Sequence, residues 1–397
     1  MYSTTAPAAQ TGAPKKDGTW LLSCGHFLND FYCNFLPILL PIIMPQLGLS
    51  LTLSGLLVMV LSITSNMLQP VFGYVMDRHN LSRLLIPVIP FGAVCICSIG
   101  LITTKVMLFI IIALTGLSVS AFHPLGSTLV ARTAEAARQG RSMSYYIAGG
   151  NLGYALAPII IVAYLNAFSM SDLPLLMIPG FLFALICLRS GLTHFSTVTD
   201  LAKTKTFHLG EILHNASILR LNIAMGLRCI THVSMSTFLP LLLVTSGYSG
   251  LLSGSLLTLF LVGCTVGGLT GGYLGDRFAH KRIIIAALAL AIFPTAYFYL
   301  HPGTEPLSLI ALFLSGALLL ASQPSSLVWA QRAMPGSEGM ASGMMLGLSF
   351  GLGSFGTALV AALGDQIGLS SALLLSSLTL PLAAICAVFA PFPEEKT

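Results

Sequence analysis

Apolar residues run through this chain in twelve long blocks, each about as long as a membrane crossing. A crossing of the hydrocarbon core requires about 20 consecutive apolar residues. The blocks do not alternate between polar and apolar positions as barrel strands do, and hydrocarbon offers backbone polar groups no partner, so each block is predicted to be a helix. The predicted helices occupy residues 20–46, 53–76, 83–103, 106–131, 142–168, 173–190, 216–244, 252–274, 283–301, 306–330, 340–363 and 369–390.

The composition fits a chain that lies mostly within a lipid bilayer. Of its 397 residues, 55% are hydrophobic and only 8% are charged. Soluble domains carry about 25% charged residues, so this chain lacks the polar surface of a water-soluble enzyme. Its eight cysteines lie in apolar blocks without a metal-ligand spacing, and it has no Gly-Lys-Ser/Thr phosphate loop. The sequence therefore predicts no enzyme activity, no cofactor, no metal and no ATP-driven pumping.

Basic residues fall almost entirely in alternate segments between the blocks. If the N-terminus is cytoplasmic, sixteen of the 18 Lys and Arg residues lie on the cytoplasmic side. Because positive charge marks that side, we expect a multi-pass protein of the bacterial cytoplasmic (inner) membrane with both termini in the cytoplasm. Attraction to the lipid surface accounts for the basic loops. We therefore expect the lipid bilayer as a partner, no nucleic acid, and a monomer.

A polar stretch near the middle separates six blocks from six. The predicted division is an N-terminal tail at 1–18, a six-helix half at 19–190, a cytoplasmic linker at 191–215, a second six-helix half at 216–390 and a tail at 391–397. A Gly-xxx-Asp-Arg pattern occurs in each half, at Gly73, Asp77 and Arg78 and, 199 positions later, at Gly272, Asp276 and Arg277. Pro124 likewise recurs as Pro324. Duplicated halves with a binding site at their interface are a known transporter architecture.

The two Gly-xxx-Asp-Arg loops resemble the signature loop of the major facilitator superfamily. More specific segments are similar to its fosmidomycin-resistance branch, namely residues 26–30, 68–74, 122–124, 149–153, 330–331 and 334–336. The resemblance implies an all-α integral membrane protein with twelve transmembrane helices in two pseudo-symmetric six-helix halves. It also implies a secondary active exporter, usually driven by the proton gradient.

A carboxyl group and an imidazole lie one helical turn apart near the middle of the first block. Asp30 follows His26 by four residues, which places both on one helix face, with Asn29 alongside. Ionisable side chains at this depth are costly and are functional by default. We expect Asp30 and His26 to exchange a proton with a water-filled cavity and Asn29 to contact substrate. The alternative is that Asp30 is a fixed partner for a neighbouring helix.

Arg228 is the only basic residue deep within a block, and His232 follows it by one turn. A buried guanidinium requires a carboxylate, a group of carbonyls or an anionic substrate. Three interpretations remain open: Arg228 pairs with Asp30 in one conformation, it binds an anionic or phosphonate group of the substrate, or it only caps carbonyls. We expect Arg228 and His232 to face Asp30 across a central cavity.

Further polar residues are candidates for substrate binding. Prolines free backbone carbonyls within helices, and a polar neighbour either satisfies such a carbonyl or lines a cavity. The candidates are His123, Gln323 and Gln69, each of which precedes a proline, Asn66 one turn before Gln69, and Asn151 in the fifth block.

Small residues spaced four apart predict close helix packing. Gly149, Gly153 and Pro158 in the fifth block are expected to pack, with the eighth block as the partner, and Gly347 and Gly351 repeat the pattern in the eleventh block. Residues 153–158 also resemble the antiporter motif of drug exporters.

The duplicated loops are candidates for gating residues. We expect Asp77 to pair with an arginine such as Arg132 or to meet a helix N-terminus of the other half, and the second copy to act likewise. The gating set is Gly73, Asp77, Arg78, Arg132, Gly272, Asp276 and Arg277. Together with the resemblance, these features predict proton-coupled efflux of a small drug-like or anionic compound such as fosmidomycin. The alternative is a proton-coupled symporter that imports a small organic anion or metabolite.

Overall fold

A computed structural model describes residues 18–134, 139–198, 215–275, 277–334 and 344–392, without the side chains at 77 and 139–141. Within these ranges it contains twelve helices that are long and apolar enough to cross a membrane, which confirms the predicted fold class. Their ends differ from the predicted ends by only a few residues. The helices α1 to α12 are Thr19–Leu47, Leu51–Met76, Ser82–Leu101, Lys105–Thr133, Ser142–Ala167, Met170–Ser190, Ala216–Thr245, Gly250–Gly275, His280–Leu300, Pro306–Ala333, Met344–Ile367 and Leu369–Phe389.

The first helix is broken in the middle of its span. Its two parts are Thr19–Cys33 and Leu36–Leu47. Because Pro37 has no N–H to donate to the carbonyl four residues earlier, the regular hydrogen bonding stops at Asn34. The Asn34 side-chain amide donates instead to the Tyr154 carbonyl of α5 at 2.8 Å. The break therefore lies one turn after Asp30 and is fastened to a neighbouring helix.

Two other helices contain short π-helical segments that lie against each other. Ile63–Met67 belongs to α2 and Met344–Leu348 to α11. A Cβ added to Gly347 would lie 3.1 Å from the Asn66 carbonyl oxygen, and one added to Gly351 would lie 3.0 Å from the Met67 sulfur. These two glycines therefore pack α11 against α2. Local π-turns are frequent at functional sites.

The glycines of α5 and α8 pack mostly against other helices than the sequence suggested. A Cβ on Gly149 or Gly153 would overlap the backbone of α1, at Ser23 and Phe27 respectively. The expected partner α8 is therefore wrong for these two glycines, because α8 uses its own glycines against α10. Those are Gly263, Gly267 and Gly271, whose neighbours are the backbones of Phe313, Ala317 and Ala321.

The helices α5 and α8 do pack on each other, and one close approach lies near the end of the bundle opposite the basic loops. A Cβ on Gly254 of α8 would lie 3.1 Å from the Pro158 carbonyl oxygen and 2.7 Å from Val162 Cγ2. Pro158 is thus the residue of the predicted α5 packing set that contacts α8.

The packing inside the two halves repeats. Gly116 of α4 lies against Leu61 and Thr64 of α2, and Gly316 of α10 lies against Phe260 and Cys264 of α8. Each residue of the second contact follows its counterpart by 199 or 200 positions. The repeat seen in the sequence is therefore a repeat of helix contacts. The boundaries at 19–190 and 216–390 stay a prediction, and residues 199–214 of the linker lie outside the described residues.

Candidate functional site

A cavity of about 700 Å³ lies between the two six-helix groups. Its wall is formed by α1, α2, α4 and α5 on one side and by α7, α8, α10 and α11 on the other. Most of the wall is apolar, and the described residues that line it include one carboxylate, Asp30, two imidazoles, His123 and His232, and no Lys or Arg. Pockets for drug-sized ligands have this size and this mixture of apolar wall and few polar groups.

The cavity is open toward the end of the bundle where Arg78, Arg132 and Arg277 lie, hereafter the basic end. Near that end, a Cβ on Gly268 would meet no atom within 4 Å, and the adjacent Leu269, which also lines the cavity, is 72% exposed. At the opposite end, hereafter the far end, α2 and α11 touch, as do α5 and α8. The described conformation therefore gives access from one side.

Asp30 stands in the cavity wall at the centre of a polar cluster. Its Oδ2 lies 3.3 Å from His26 Nε2, and its Oδ1 lies 3.5 Å from His123 Nε2. The Asn29 amide donates to Oδ1 at 2.9 Å. The cluster joins α1 to α4, and it brings His123, a separate candidate in the sequence analysis, to the set of Asp30, His26 and Asn29.

His26 is held in one orientation by α5. Its Nδ1 lies 2.8 Å from the Tyr146 carbonyl oxygen, and its ring stacks on the Tyr146 ring with centroids 4.1 Å apart. Because a carbonyl oxygen only accepts, His26 Nδ1 carries a hydrogen and donates it. Nε2 is therefore the nitrogen that faces Asp30. A contact between that nitrogen and a carboxylate oxygen is a hydrogen bond only when one of the two atoms carries a proton.

The same three side chains could hold a metal ion. The ligand atoms of His26, Asp30 and His123 all lie within 4.8 Å of one another. The sequence predicted no metal because the third residue comes from a helix about ninety positions away, so no spacing pattern reveals the set. The described residues contain one group of three His, Cys, Asp or Glu side chains with this geometry, and it is this one.

The remaining polar candidates divide into two groups. Asn66, Asn151, His232 and Gln323 line the cavity, and their contact with substrate stays a prediction. Gln69 does not, because its side-chain amide donates to the Ser65 carbonyl at 2.8 Å, one turn earlier in α2. The Gln69 side chain thus satisfies the Ser65 carbonyl, five residues before Pro70, which is the alternative that the sequence left open for residues before prolines.

Arg228 is buried behind the cavity wall rather than in it. Its side chain is 1% exposed, with Nη1 donating to the Leu319 carbonyl at 3.0 Å and Nη2 lying 3.0 Å from Cys229 Sγ. The guanidinium carbon lies 5.7 Å from the centroid of the Phe350 ring, which lines the cavity. The pairing with Asp30, one of the three interpretations left open, is absent in this conformation, because Asp30 is engaged by the two imidazoles and Phe350 separates Arg228 from the cavity.

Two buried nitrogens beside that part of the wall have no hydrogen-bond partner within the described part of the chain. They are Arg228 Nε and His232 Nδ1. His232 Nε2 lies 3.7 Å from Cys264 Sγ, and the ring contacts Phe260 and Phe350. The C-terminal half therefore holds a positive charge, without a carboxylate partner among these residues, one side chain away from the cavity.

The duplicated loops lie at the basic end in matching conformations. The Arg78 guanidinium covers the Tyr74 ring at 4.0 Å, and that of Arg277 covers the Tyr273 ring at 4.3 Å. A Cβ on Gly73 of α2 would lie 3.9 Å from Pro124 of α4, and a Cβ on Gly272 of α8 would lie 3.8 Å from Pro324 of α10. Both loops are exposed.

The predicted acidic members of these loops cannot be placed. The Asp77 side chain and the whole of Asp276 lie outside the described residues. Arg132, the expected partner of Asp77, donates from Nη2 to the Val198 carbonyl at 2.8 Å. The neighbouring Thr197 is fully buried and donates to the Met76 carbonyl at 3.1 Å. The start of the predicted linker is thus docked on the first gating loop.

Several cavity residues were not singled out in the sequence. Cys33, Tyr154, Ser236, Cys264 and Phe350 line the wall. Each stands in an apolar block with no charge or proline signal of its own, so only the tertiary arrangement identifies it. Asn34 carried a signal, since it lies shortly before Pro37 in the middle of a span.

Comparisons with known proteins agree with this architecture. The family model of the Major Facilitator Superfamily matches residues 22–356. The chain is 24% identical to the fosmidomycin resistance protein of Escherichia coli over 386 residues, 94% of this chain and 93% of that protein. It is 26% identical to an uncharacterised MFS-type transporter, YfnC, of Bacillus subtilis over 388 residues, 93% and 91% of the two chains.

Among solved structures, the fold is similar to that of a bacterial homologue of the human lysosomal transporter Spinster in an inward-facing and occupied conformation. The TM-score is 0.79 at 13% identity, with 96% of this chain and 97% of that chain covered. With the family model matching most of the chain and twelve helices enclosing a cavity, the chain belongs to the Major Facilitator Superfamily and is a secondary transporter, not an enzyme.

Proposed function

We propose that this protein is a proton-coupled exporter of a small drug-like or anionic compound. The observation that carries the proposal is the Asp30 carboxylate, which stands in the wall of an open membrane-depth cavity between two imidazoles. A carboxylate at this depth is costly unless it is paired or protonated. A site that must exchange a proton with water therefore gains from a cavity that reaches it.

The geometry around His26 supports one exchangeable proton. Since His26 Nδ1 is committed to the Tyr146 carbonyl, the atoms that face each other are Nε2 and Asp30 Oδ2, which need one proton between them. His123 offers a second acceptor or donor on the cavity side. The other titratable groups around Asp30 are Cys33 of α1 and Tyr146 and Tyr154 of α5.

The cavity supports a small amphipathic substrate. Its volume of about 700 Å³ and largely apolar wall suit a drug-sized molecule. Asn66, Asn151 and Gln323 offer hydrogen bonds, and the positive charge of Arg228 lies behind Phe350 on the other wall. A guanidinium without a carboxylate partner favours an anionic group nearby. The name of the Escherichia coli relative, a fosmidomycin resistance protein, supports a drug as cargo.

In this scheme the proton and the substrate use the cavity in turn. The Asp30 proton leaves through the open cavity to the basic end before the substrate binds, and a substrate held against the Asp30 wall then displaces the water that could return a proton from that end. Protonation from the far side then favours substrate release there. We infer that the basic end faces the cytoplasm of the bacterial cell, that both termini lie there in the inner membrane, and that one chain suffices because it encloses the cavity alone.

A second candidate is proton-coupled import of a small organic anion. The observation that favours it is the separation of charges. The proton cluster belongs to α1 and α4, whereas Arg228 and His232 belong to α7. A proton and an anion can therefore bind at the same time on opposite walls, as symport requires.

The two candidate functions predict opposite changes in the amount of labelled drug that cells accumulate. Cells that overproduce an exporter accumulate less labelled fosmidomycin than control cells, and an uncoupler abolishes the difference; overproducing an importer raises accumulation. Asp30→Asn is expected to abolish the uncoupler-sensitive part while the protein still inserts. Asp172→Asn is the matched control, since Asp172, in the first turn of α6 in the same half, accepts from the Ser169 N–H outside the cavity. Normal gradient-driven transport by Asp30→Asn would end the proposal.

A further inference from the structure

A carboxylate of α11 closes the far end of the interface between the two halves. Asp365 Oδ1 accepts from the Leu51 N–H at 2.9 Å, and Oδ2 accepts from the Thr52 N–H at 2.8 Å and from the Thr52 hydroxyl at 2.5 Å. Leu51 begins α2, and the first N–H groups of a helix have no partner within the helix. An acidic side chain more than three hundred positions away thus caps α2 across the interface.

The cap lies at the end of a continuous line of contact between α2 and α11. A Cβ on Gly55 would lie 2.6 Å from Ala361 Cβ, and one on Gly364 would lie 2.9 Å from Leu51 Cδ1. Further toward the basic end, the Ser62 hydroxyl donates to the Phe350 carbonyl at 3.4 Å. The two helices are therefore in direct contact from the far end to the level of the cavity.

The second closure of the far end has no such bond. There Gly254 of α8 packs on Pro158 and Val162 of α5 through van der Waals contact. A charge-assisted cap is stronger and more directional than contacts of that kind. Of these two closures, the one between α2 and α11 is thus the one that a single side chain fastens.

We propose that Asp365 is the gating residue that holds the far end of the cavity closed, and that the cavity opens there only when its three bonds to α2 are broken. A carboxylate at a helix N-terminus is stabilised by the free N–H groups and by the helix dipole. Removing it leaves the Leu51 and Thr52 N–H groups without a side-chain acceptor, and α2 and α11 are then joined by apolar contacts and the Ser62–Phe350 hydrogen bond. This inference rests on the family's transport activity alone and not on proton coupling or on direction.

Hydrogen–deuterium exchange of the full chain in lipid nanodiscs, without substrate or gradient, tests it. Amide exchange at the far end reports the equilibrium between its closed and open states. Loss of a side-chain cap changes that equilibrium by about tenfold, so Asp365→Ala is expected to speed exchange about tenfold at both far-end closures. One comprises residues 51–62 and 354–365, and the other 155–165 and 251–260. Exchange at the second closure distinguishes a gate from a local cap, because the residues of that closure make no contact with Asp365.

Asp172→Ala is the matched control. Asp172 lies at the same end and also accepts from a backbone N–H, that of Ser169 at 3.0 Å, but both residues belong to one half. Its loss should speed exchange only around residues 169–177. If Asp365→Ala fails to fold, Thr52→Val removes the hydroxyl bond alone and should shift both closures by about threefold.

Faster exchange confined to the first turn of α2 would overturn the inference, because Asp365 would then be a local cap. Faster exchange at both closures supports it. The result is independent of the proposed function, since an exporter, an importer or a uniporter must open the same end. Loss of transport in Asp30→Asn with unchanged exchange would leave the gate and the coupling separately established.

Discussion

A methyl group added at Gly150 should disturb the cluster of His26, Asp30 and His123 without a substitution at any of these three residues. Gly150 of α5 lies directly beside the His26–Asp30 contact. A Cβ at this position would lie 2.5 Å from His26 Nε2 and 2.7 Å from Asp30 Oδ2, whereas ordinary contact begins near 3.4 Å. Gly150→Ala therefore requires both side chains to move, His26 by about 0.9 Å and Asp30 by about 0.7 Å.

The surroundings make that movement costly. If the His26 ring retreats by about 0.9 Å from the new methyl group, its hydrogen bond to the Tyr146 carbonyl, now 2.8 Å, stretches beyond bonding range. Overpacking of this kind costs about 1–3 kcal/mol, and alanine returns about 0.5–1 kcal/mol in helix propensity. A net of about 1.3 kcal/mol corresponds to a roughly tenfold loss of the productive arrangement.

The assay is substrate-driven proton movement in proteoliposomes, measured across a range of pH. Gly150→Ala should reduce the rate about tenfold at its optimum and change the shape of the pH profile, because the pair that shares the proton is displaced. Gly250→Ala is the matched control: its Cβ meets nothing within 4 Å, and it lies outside the cavity wall. A Gly150→Ala protein with wild-type rate and pH profile would refute the assignment of the proton to this pair.

Two further predictions concern Arg228 and the glycines of α8. Arg228→Met removes a buried charge that has no carboxylate partner among the described residues. The apparent Tm should therefore stay unchanged or rise by a few degrees, while transport of an anionic compound falls at least tenfold. A lower Tm would show that the guanidinium is structural. Gly267→Ala should lower the apparent Tm by several degrees, since its methyl group would overlap the Ala317 carbonyl. Gly268→Ala should leave the Tm unchanged, because the space around Gly268 is open. Equal thermal shifts in the two variants would contradict the α8–α10 contact.

The number of helices and the membrane character could be predicted from the sequence because both depend on local properties. Twenty apolar residues in a row give a helix in lipid whatever surrounds them. The pairing of glycines with particular helices could not, since small residues mark a close contact without naming its partner. Gly149 and Gly153 illustrate this, because they carry the expected pattern but pack on α1 rather than on α8.

The same limit applies to the site. Asp30 and His26 could be found because four residues along a helix guarantee one face. His123 was a separate candidate, and only the fold places its Nε2 3.5 Å from Asp30. The pairing of Arg228 with Asp30, one of three interpretations, is absent from this conformation for a related reason. The spacing located both residues at similar depth, but the rotation of α7 and the position of Phe350 decide what the guanidinium reaches.

The duplicated scaffold carries chemistry that is not duplicated. At the offset of 203 positions that relates Phe35 to Phe238, the counterparts of His26 and Asp30 are Cys229 and Val233, and the counterpart of Arg228 is Gly25. Each half therefore holds one kind of charge where the other half has a small or apolar residue. Gly25 has room for nothing larger, since a Cβ there would lie 2.7 Å from the Phe183 ring. Because the negative group and its imidazoles occupy one wall and the guanidinium lies behind the other, rocking of the halves changes the distance between opposite charges. A transporter that couples a proton to its cargo needs such a dependence of electrostatic energy on conformation, and two identical walls could not provide it.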